Sequence, residues 1–415
     1  MLRSLLPKSH NKLLCLPLLG PITDDFDDWL VANSYAAGSR KHIIRMLPHL
    51  DADLRRHCVR DVSDLTHVLL HACWRRFIKI YPTKAGAVRS LERYLVTTSV
   101  IAAHGIETAR RPVSAVLSNE YGNHLRKVRG FADSTIGHHL YTARCFLHHL
   151  KVKKVPVSSI QPEDIETYIK QVGKRLSRAS LQHEIAAVRG FLRFLSTEGT
   201  IRPGLDRQID TPRLYRLEQL PRAVPWDMVT ELLRSIDTKS AMGIRDYAMF
   251  LLIATYGLRA SEVVGLSVDD ILWRQGILRI HQRKTSSPLE LPLTNEVMAA
   301  VAKHLKRTPP PAPYRRVFLR MRAPLGVLKP TAVTEAFQAM VRKSGLACPY
   351  QGPHCLRHAY ALHLLKKGTR LKTIGDILGH RTAESTSMYL RLAVSDLREV
   401  ALAVPGKQYS RKEGN

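Results

Sequence analysis

Apolar residues recur at i, i+3 and i+4 through residues 22–32, 87–101, 136–150, 165–172 and 181–195, the spacing that lines one face of an α-helix. No convincing strand pattern interrupts residues 21–205, so this half of the chain reads as helical. Over residues 202–225 the periodicity lapses, and Arg202-Pro203-Gly204, Pro212, Pro221 and Pro225 mark a linker. Helical spacing returns over 226–236 and 244–256, and then 276–281 and 289–293 alternate like two short strands. The turn between them, 282–288, holds Lys284. Helices follow over 295–305, 331–344, 354–367, 371–378 and 386–403, with the proline run 309–313 as a surface loop. The pattern predicts a mainly α (α+β) protein: helical N-terminal modules, then a mostly helical domain carrying a small antiparallel sheet.

The helical half contains an internal echo. Ala87-Val88-Arg89-Ser90-Leu91-Glu92-Arg93-Tyr94-Leu95 aligns with Ala187-Val188-Arg189-Gly190-Phe191-Leu192-Arg193-Phe194-Leu195 at an offset of one hundred, and Thr97 and Ile101 meet Thr197 and Ile201. Upstream, Tyr35-Ala36-Ala37-Gly38-Ser39 corresponds loosely to Phe131-Ala132-Asp133-Ser134-Thr135, each an aromatic residue followed by a helix N-cap. The reading is a duplicated helical module, 21–110 and 117–205, between an N-terminal tail at 1–20 and a linker at 206–225. A second domain at 226–405 and a C-terminal tail at 406–415 complete the chain.

Charge changes the picture. Lys plus Arg number 64 against 35 Asp plus Glu, a formal net charge of +29 spread along the whole length, which points to an extended contact with a nucleic-acid backbone. At 45% hydrophobic residues the 415-residue chain can bury substantial cores, so it is neither disordered nor fibrous. Six cysteines, at 15, 58, 73, 145, 348 and 355, form no C-x-x-C pair or zinc-ligand spacing and read as small hydrophobes in a reducing compartment; no structural metal is expected. The N-terminal run Leu13-Leu14-Cys15-Leu16-Pro17-Leu18-Leu19 is too short, and too early broken by proline, for a secretory signal. No apolar run approaches the ~18 residues of a membrane span, so a cytoplasmic protein without membrane contact is expected.

Four clusters in the second domain gather groups that plain DNA binding would not require. In Tyr256-Gly257-Leu258-Arg259-Ala260-Ser261-Glu262, an arginine opening a helix has a carboxylate at i+3 that can fix its guanidinium toward a phosphate. In His354-Cys355-Leu356-Arg357-His358, His354 and Arg357 share a helix face. In Leu378-Gly379-His380 the glycine is a helix C-cap that delivers the histidine on a turn. The fourth is Met388-Tyr389-Leu390, its tyrosine nine positions beyond His380. Taken singly, an Arg–Glu pair is a surface ion pair and a histidine near an arginine a core residue more often than either is catalytic.

Together, in this order, the clusters resemble the tyrosine recombinase family, also called the phage integrase family, whose pattern runs Arg … Lys … His-x-x-Arg … His/Trp … Tyr. The resemblance covers about residues 120 to 405 and fills every expected position. It implies that Tyr389 is the nucleophile, that Arg259 and Arg357 clamp the scissile phosphate with Glu262 in support, and that His354 and His380 contact it by hydrogen bonds. Lys284 matches the mobile lysine that protonates the leaving 5′ oxygen, with Arg283 as its rival. His354 is the candidate base for the tyrosine, whose phenolate the surrounding cations would favour. The resemblance also implies double-stranded DNA as partner, a homo-tetramer or a hetero-tetramer with related recombinases, and residues 117–205 as a core-binding domain of which 21–110 is an extra copy. Arg89, Arg93, Arg189 and Arg193, at equivalent places in the echo, are candidate phosphate contacts. Residues 390–404 read as a further amphipathic helix, a candidate assembly element. No cofactor or metal ion is implied: the carboxylates do not converge as a two-metal site requires, and the phosphotyrosine link keeps the energy for rejoining. The expected function is site-specific cutting and rejoining of DNA, by the recombinase of a mobile element. A type IB topoisomerase and a non-cleaving DNA-binding partner of another recombinase are the alternatives.

Overall fold

The computed structural model describes residues 2–101, 113–215, 221–282, 288–380 and 382–392. The chain divides into two compact units, residues 102–218 and the remainder. Within them the apolar side chains gather into separate cores.

The first core serves seven helices: α1 (Leu2–Leu5), α2 (His10–Leu14), α3 (Thr23–Ala32), α4 (Ala37–Ile44), α5 (Leu47–Arg56), α6 (His67–Ile80) and α7 (Gly86–Thr97). Residues 1–20, expected as a tail, belong to this core. Leu2, Leu6, Leu13, Leu18 and Leu19 are buried in it, and at about 2 kcal/mol per buried leucine they are integral to its stability. The Asp51 carboxylate accepts hydrogen bonds from the backbone N–H groups of Leu18 (2.9 Å) and Leu19 (2.8 Å), which fixes the segment on α5. Between α3 and α4, the buried Asp27 carboxylate pairs with Arg40.

Residues 113–215 form the second core with α8 (Val113–Lys127), α9 (Asp133–Val152), α10 (Pro162–Gly173) and α11 (Arg178–Thr197). Its polar centre is Glu184 of α11, buried, which accepts from Thr142 of α9 (2.9 Å) and Tyr168 of α10 (2.7 Å). One carboxylate thus ties three helices.

The two helical bodies repeat each other in detail. Residues 37–56 are helical apart from a break ahead of Pro48, and α9 covers an equal span, 133–152, unbroken. Both spans end on a left-handed residue, Cys58 (φ 62°) and Lys154 (φ 59°), each followed by a valine N–H bonded to a leucine carbonyl five residues back (Val59 to Leu54, Val155 to Leu150). A single 3-10 turn follows in each, Val62–Asp64 and Val157–Ser159, before α6 and α10. Helices α7 and α11 end alike, with Ser99 (φ 61°) and Gly199 (φ 69°) left-handed and the hydroxyls of Thr97 and Thr197 bonded to the carbonyls of Arg93 and Arg193. An aromatic trio recurs as well: Phe26, Trp29 and Tyr94 in one body, Tyr121, His124 and Phe194 in the other. The N-caps of α4 and α9 are Ala36 and Ala132, the residues directly after the aromatic Tyr35 and Phe131, and not side-chain caps one or two positions on.

Beyond the linker lie α12 (Trp226–Arg234), α13 (Ala241–Tyr256), α14 (Ala260–Gly265), a sheet of β1 (Ile271–Leu272), β2 (Ile277–His281) and β3 (Pro288–Pro292), then α15 (Asn295–Arg307), α16 (Pro330–Ser344), α17 (His354–Lys366), α18 (Leu371–Leu378) and α19 (Glu384–Ser387). A 3-10 turn, Met388–Leu392, carries Tyr389. The sheet is antiparallel in the order β1-β2-β3, one strand more than the sequence pattern predicts. Helix α13 is the central element, capped by Ser240 and buried along residues 248–254, as its nearly continuous apolar run requires. At its end the Tyr256 hydroxyl donates to the Pro292 carbonyl (2.7 Å) and accepts from the Thr294 N–H (3.1 Å), so the C-terminus of α13 is pinned to the end of β3.

Candidate active site

The site is built on the ends of α13, α14, α17 and α18. Helix α13 stops at Gly257, which adopts φ 63°, and a Cβ there would meet Leu378 Cδ2 at 2.6 Å and Tyr360 Cδ1 at 2.8 Å. Helix α18 stops at Gly379 (φ 60°), where a Cβ would run into the Gln282 amide. Only glycine fits both positions. These two turns bring the carbonyls of Gly257 and Leu378 to one place, and the Arg357 guanidinium of α17 donates to both.

Arg357 is 3% exposed, and burial together with the neighbouring Arg259 cation pulls its pKa down to about 10. Arg259, the N-cap of α14, is fixed reciprocally by Glu262: one carboxylate oxygen takes the Arg259 backbone N–H (2.7 Å) and the other its guanidinium (2.7 Å). Glu262 is buried, so its two oxygens act as a fork that aims the arginine.

Tyr389 is 1% exposed, and its ring lies between two imidazoles. His380 stacks nearly parallel to it at 6.4 Å, with its Nδ1 bonded to the Thr386 hydroxyl (2.8 Å). His358 sits 5.6 Å away, centroid to centroid, with its Nδ1 2.9 Å from the Tyr389 hydroxyl oxygen. His354, one turn earlier on α17 and exposed, packs edge-on against His358 at 4.4 Å. Burial and the surrounding cations push the pKa of His358 and of His380 down to about 4, so both rings are neutral near pH 7. The sequence led us to expect that cations would ease ionisation of the tyrosine. Arg357 and Arg259 do act in that direction, but burial outweighs them and the Tyr389 pKa is raised.

Arg259, Glu262, His354, Arg357, His380 and Tyr389 therefore lie near one another. Lys284 and its neighbour Arg283 lie outside the described residues, as does most of the segment 390–404. The residue that sequence reasoning missed is His358. Its signal is the spacing of His354 and His358, which stand at i and i+4 on one helix face.

The four arginines of the echo are engaged within their own bodies. Arg89 pairs with Glu92 (2.8 Å) and lies over the Trp74 ring, and Arg93 reaches the Tyr35 hydroxyl (3.4 Å). Arg189 donates to the carbonyls of Asp206 and Ile209, and Arg193 to the Asp206 carboxylate (2.7 Å).

Residues 224–395 match the phage integrase family, and residues 119–199 match the phage integrase N-terminal SAM-like domain. A putative integrase/recombinase of Sinorhizobium fredii (strain NBRC 101917 / NGR234), y4rA, is 32% identical over 389 residues, covering 92% of this chain and 93% of its own length. The chain belongs to the phage integrase family. This tyrosine recombinase is a DNA strand-transferring enzyme, and the similarity to y4rA is long enough to take in most of the first 118 residues, which neither family match includes. The tyrosine recombinase XerD of Listeria monocytogenes serotype 4b (strain F2365) is 28% identical over 280 residues, 66% of this chain and 92% of that protein. Among solved structures, a lambda integrase tetramer bound to a Holliday junction shares the fold, with a TM-score of 0.52 at 16% identity over 74% of this chain and 86% of that one. No helix among the described residues of the recombinase is long and apolar enough to cross a membrane.

Proposed function

We propose that this recombinase, acting for a mobile element on DNA in the cytoplasm, cuts and rejoins duplex DNA at a defined site through a 3′-phosphotyrosyl intermediate on Tyr389. The observation that carries this reading is the enclosure of Tyr389 between His358 and His380, within the field of Arg357 and Arg259. In-line attack on a phosphodiester piles negative charge on the non-bridging oxygens, and two guanidiniums meet it with donors that are fixed beforehand. Arg259 is aimed by Glu262. Arg357 spends two N–H groups on the Gly257 and Leu378 carbonyls and keeps others for the phosphate. His354, exposed beside this pair, and His380, whose Nδ1 is held by Thr386, complete the phosphate's hydrogen bonds. Lys284 is proposed as the acid for the departing 5′ oxygen, on the strength of the family pattern.

Residues 21–110 are proposed as a second copy of the core-binding module at 117–205. The matched left-handed residues, 3-10 turns and aromatic trios support this reading. A tetramer on DNA is proposed as the working assembly, by likeness to the lambda integrase tetramer. Arg89, Arg93, Arg189 and Arg193 each commit one or two N–H groups to internal partners and keep the others for phosphate. That leaves them candidates for DNA contact.

The test is covalent trapping on nicked suicide substrates from the element's own ends, with chelator present. An SDS-resistant adduct forms with the wild type and is lost in Tyr389→Phe. Tight, salt-sensitive binding without any adduct would instead mean a non-cleaving partner, and relaxation of any supercoiled plasmid would mean a topoisomerase.

A further inference from the structure

The group in contact with the reacting oxygen of Tyr389 is His358, and the family pattern gives it no role. Its Nδ1 lies 2.9 Å from the phenol oxygen, within range for a proton to pass along the hydrogen bond. The groups that face His358 are His354 and Arg357 from its own helix, His380 from the turn after α18, Arg222 from the segment ahead of α12, and Tyr389 itself. With Arg357 and Arg222 near it and its ring partly buried, His358 is neutral near pH 7, and in its Nε2–H tautomer Nδ1 offers the lone pair that accepts from the phenol. His380 is differently placed. Its Nδ1 is taken by Thr386, and its ring lies parallel to the tyrosine ring, flanking it. His354 is exposed, at the mouth of the site.

We propose that His358 is the base that takes the Tyr389 proton, with His354 left to bind the phosphate. This rests on the reading of Tyr389 as the nucleophile. In the cleavage step the bond from Tyr389 Oη to phosphorus forms and the bond from phosphorus to the 5′ oxygen breaks. The phenol proton passes to His358 Nδ1, and the 5′ oxygen receives a proton from the site's acid, proposed above as Lys284. Rejoining runs the same transfers backwards, and Tyr389 recovers its proton from His358. Without DNA His358 is a poor base, because burial first and then the positive charge of Arg357 and Arg222 oppose its protonation. A docked phosphate brings negative charge against Arg357 and relieves the electrostatic part of that opposition. The base becomes effective when the substrate arrives.

The experiment is single-turnover cleavage of a suicide substrate by the full-length protein across pH 6 to 9, with His358→Gln, His358→Ala and His354→Gln compared with wild type. Gln can still hold the phenol by a hydrogen bond but takes no proton. The expected result is that His358→Gln and His358→Ala both lose about a hundredfold or more in cleavage rate with DNA affinity unchanged. Their residual rate should climb with pH as hydroxide takes over the proton, while His354→Gln mainly weakens phosphate binding. Should His358→Ala misfold, His358→Gln carries the comparison. Near-wild-type cleavage by His358→Gln would reduce His358 to a positioning residue and overturn the proposal. The same would follow if the pH signature appeared in His354→Gln instead. Absence of a Tyr389 adduct in the wild type would count against the recombinase reading, a failure distinct from normal cleavage by His358→Gln.

Discussion

Arg357 is a cation enclosed by protein, and it is tolerated because two backbone carbonyls and the nearby Glu262 carboxylate offset its burial. The same enclosure makes the neighbouring imidazoles reluctant to charge, which has a measurable sign. His358 and His380 titrate near 6.5 in an unfolded chain and at about 4 in the folded site. Above pH 6.5 neither state holds the extra protons. As pH falls toward 4 the unfolded chain takes up protons that the folded site refuses, so folding stability declines across that window. We expect the thermal midpoint to drop more steeply from pH 7 to 4 in wild type than in His358→Gln/His380→Gln, by roughly 5 °C over the range. Parallel curves in scanning calorimetry would contradict the assignment of neutral rings. His358 itself marks the limit of reading residues in order: its partner hydroxyl is 31 positions away, and only the fold brings the two together.

At the scale of elements, the site depends on where two helices stop. Replacing Gly257 by alanine forces an L-residue to φ 63° and drives Cβ against Leu378 and Tyr360. The left-handed backbone alone costs about 1–2 kcal/mol, and the contacts add to it. Gly257→Ala should lose more than ~2 kcal/mol in urea unfolding and most of its cleavage activity, since Arg357 loses an aligned carbonyl. An unchanged midpoint would mean that the turn relaxes freely. Helix positions were legible wherever one face repeats, as in α18, and the C-cap at Gly379 was legible from the glycine after an apolar run. Strand β1 was not, because two residues are too few to alternate. The N-terminal leucines read as a tail because proline breaks their pattern, while Asp51, which anchors them, is more than thirty residues downstream. The six convergent site residues were legible by motif, whereas the burial of Tyr389 left no mark in the sequence.

At the scale of the molecule, the charge of +29 suits a long contact, and on the proposed reading the repeated body at the N-terminus lengthens it. Deleting residues 1–110 should shorten the nuclease footprint by about one helical turn, ~10 base pairs, while sparing cleavage of a pre-nicked site. An unchanged footprint would remove the DNA-contact role of the N-terminal copy. The burial of Tyr389 at 1% exposure has a separate consequence for the cell. A protein with a net charge of +29 is attracted to any duplex, including phosphodiesters that are not its target. Were its phenol permanently presented, each contact would be an opportunity for a stray nick, and the host would carry a mutator. If Tyr389 is the nucleophile proposed above, keeping it inside the protein makes random encounters harmless and confines cleavage to the few sites where the protein's architecture is properly engaged.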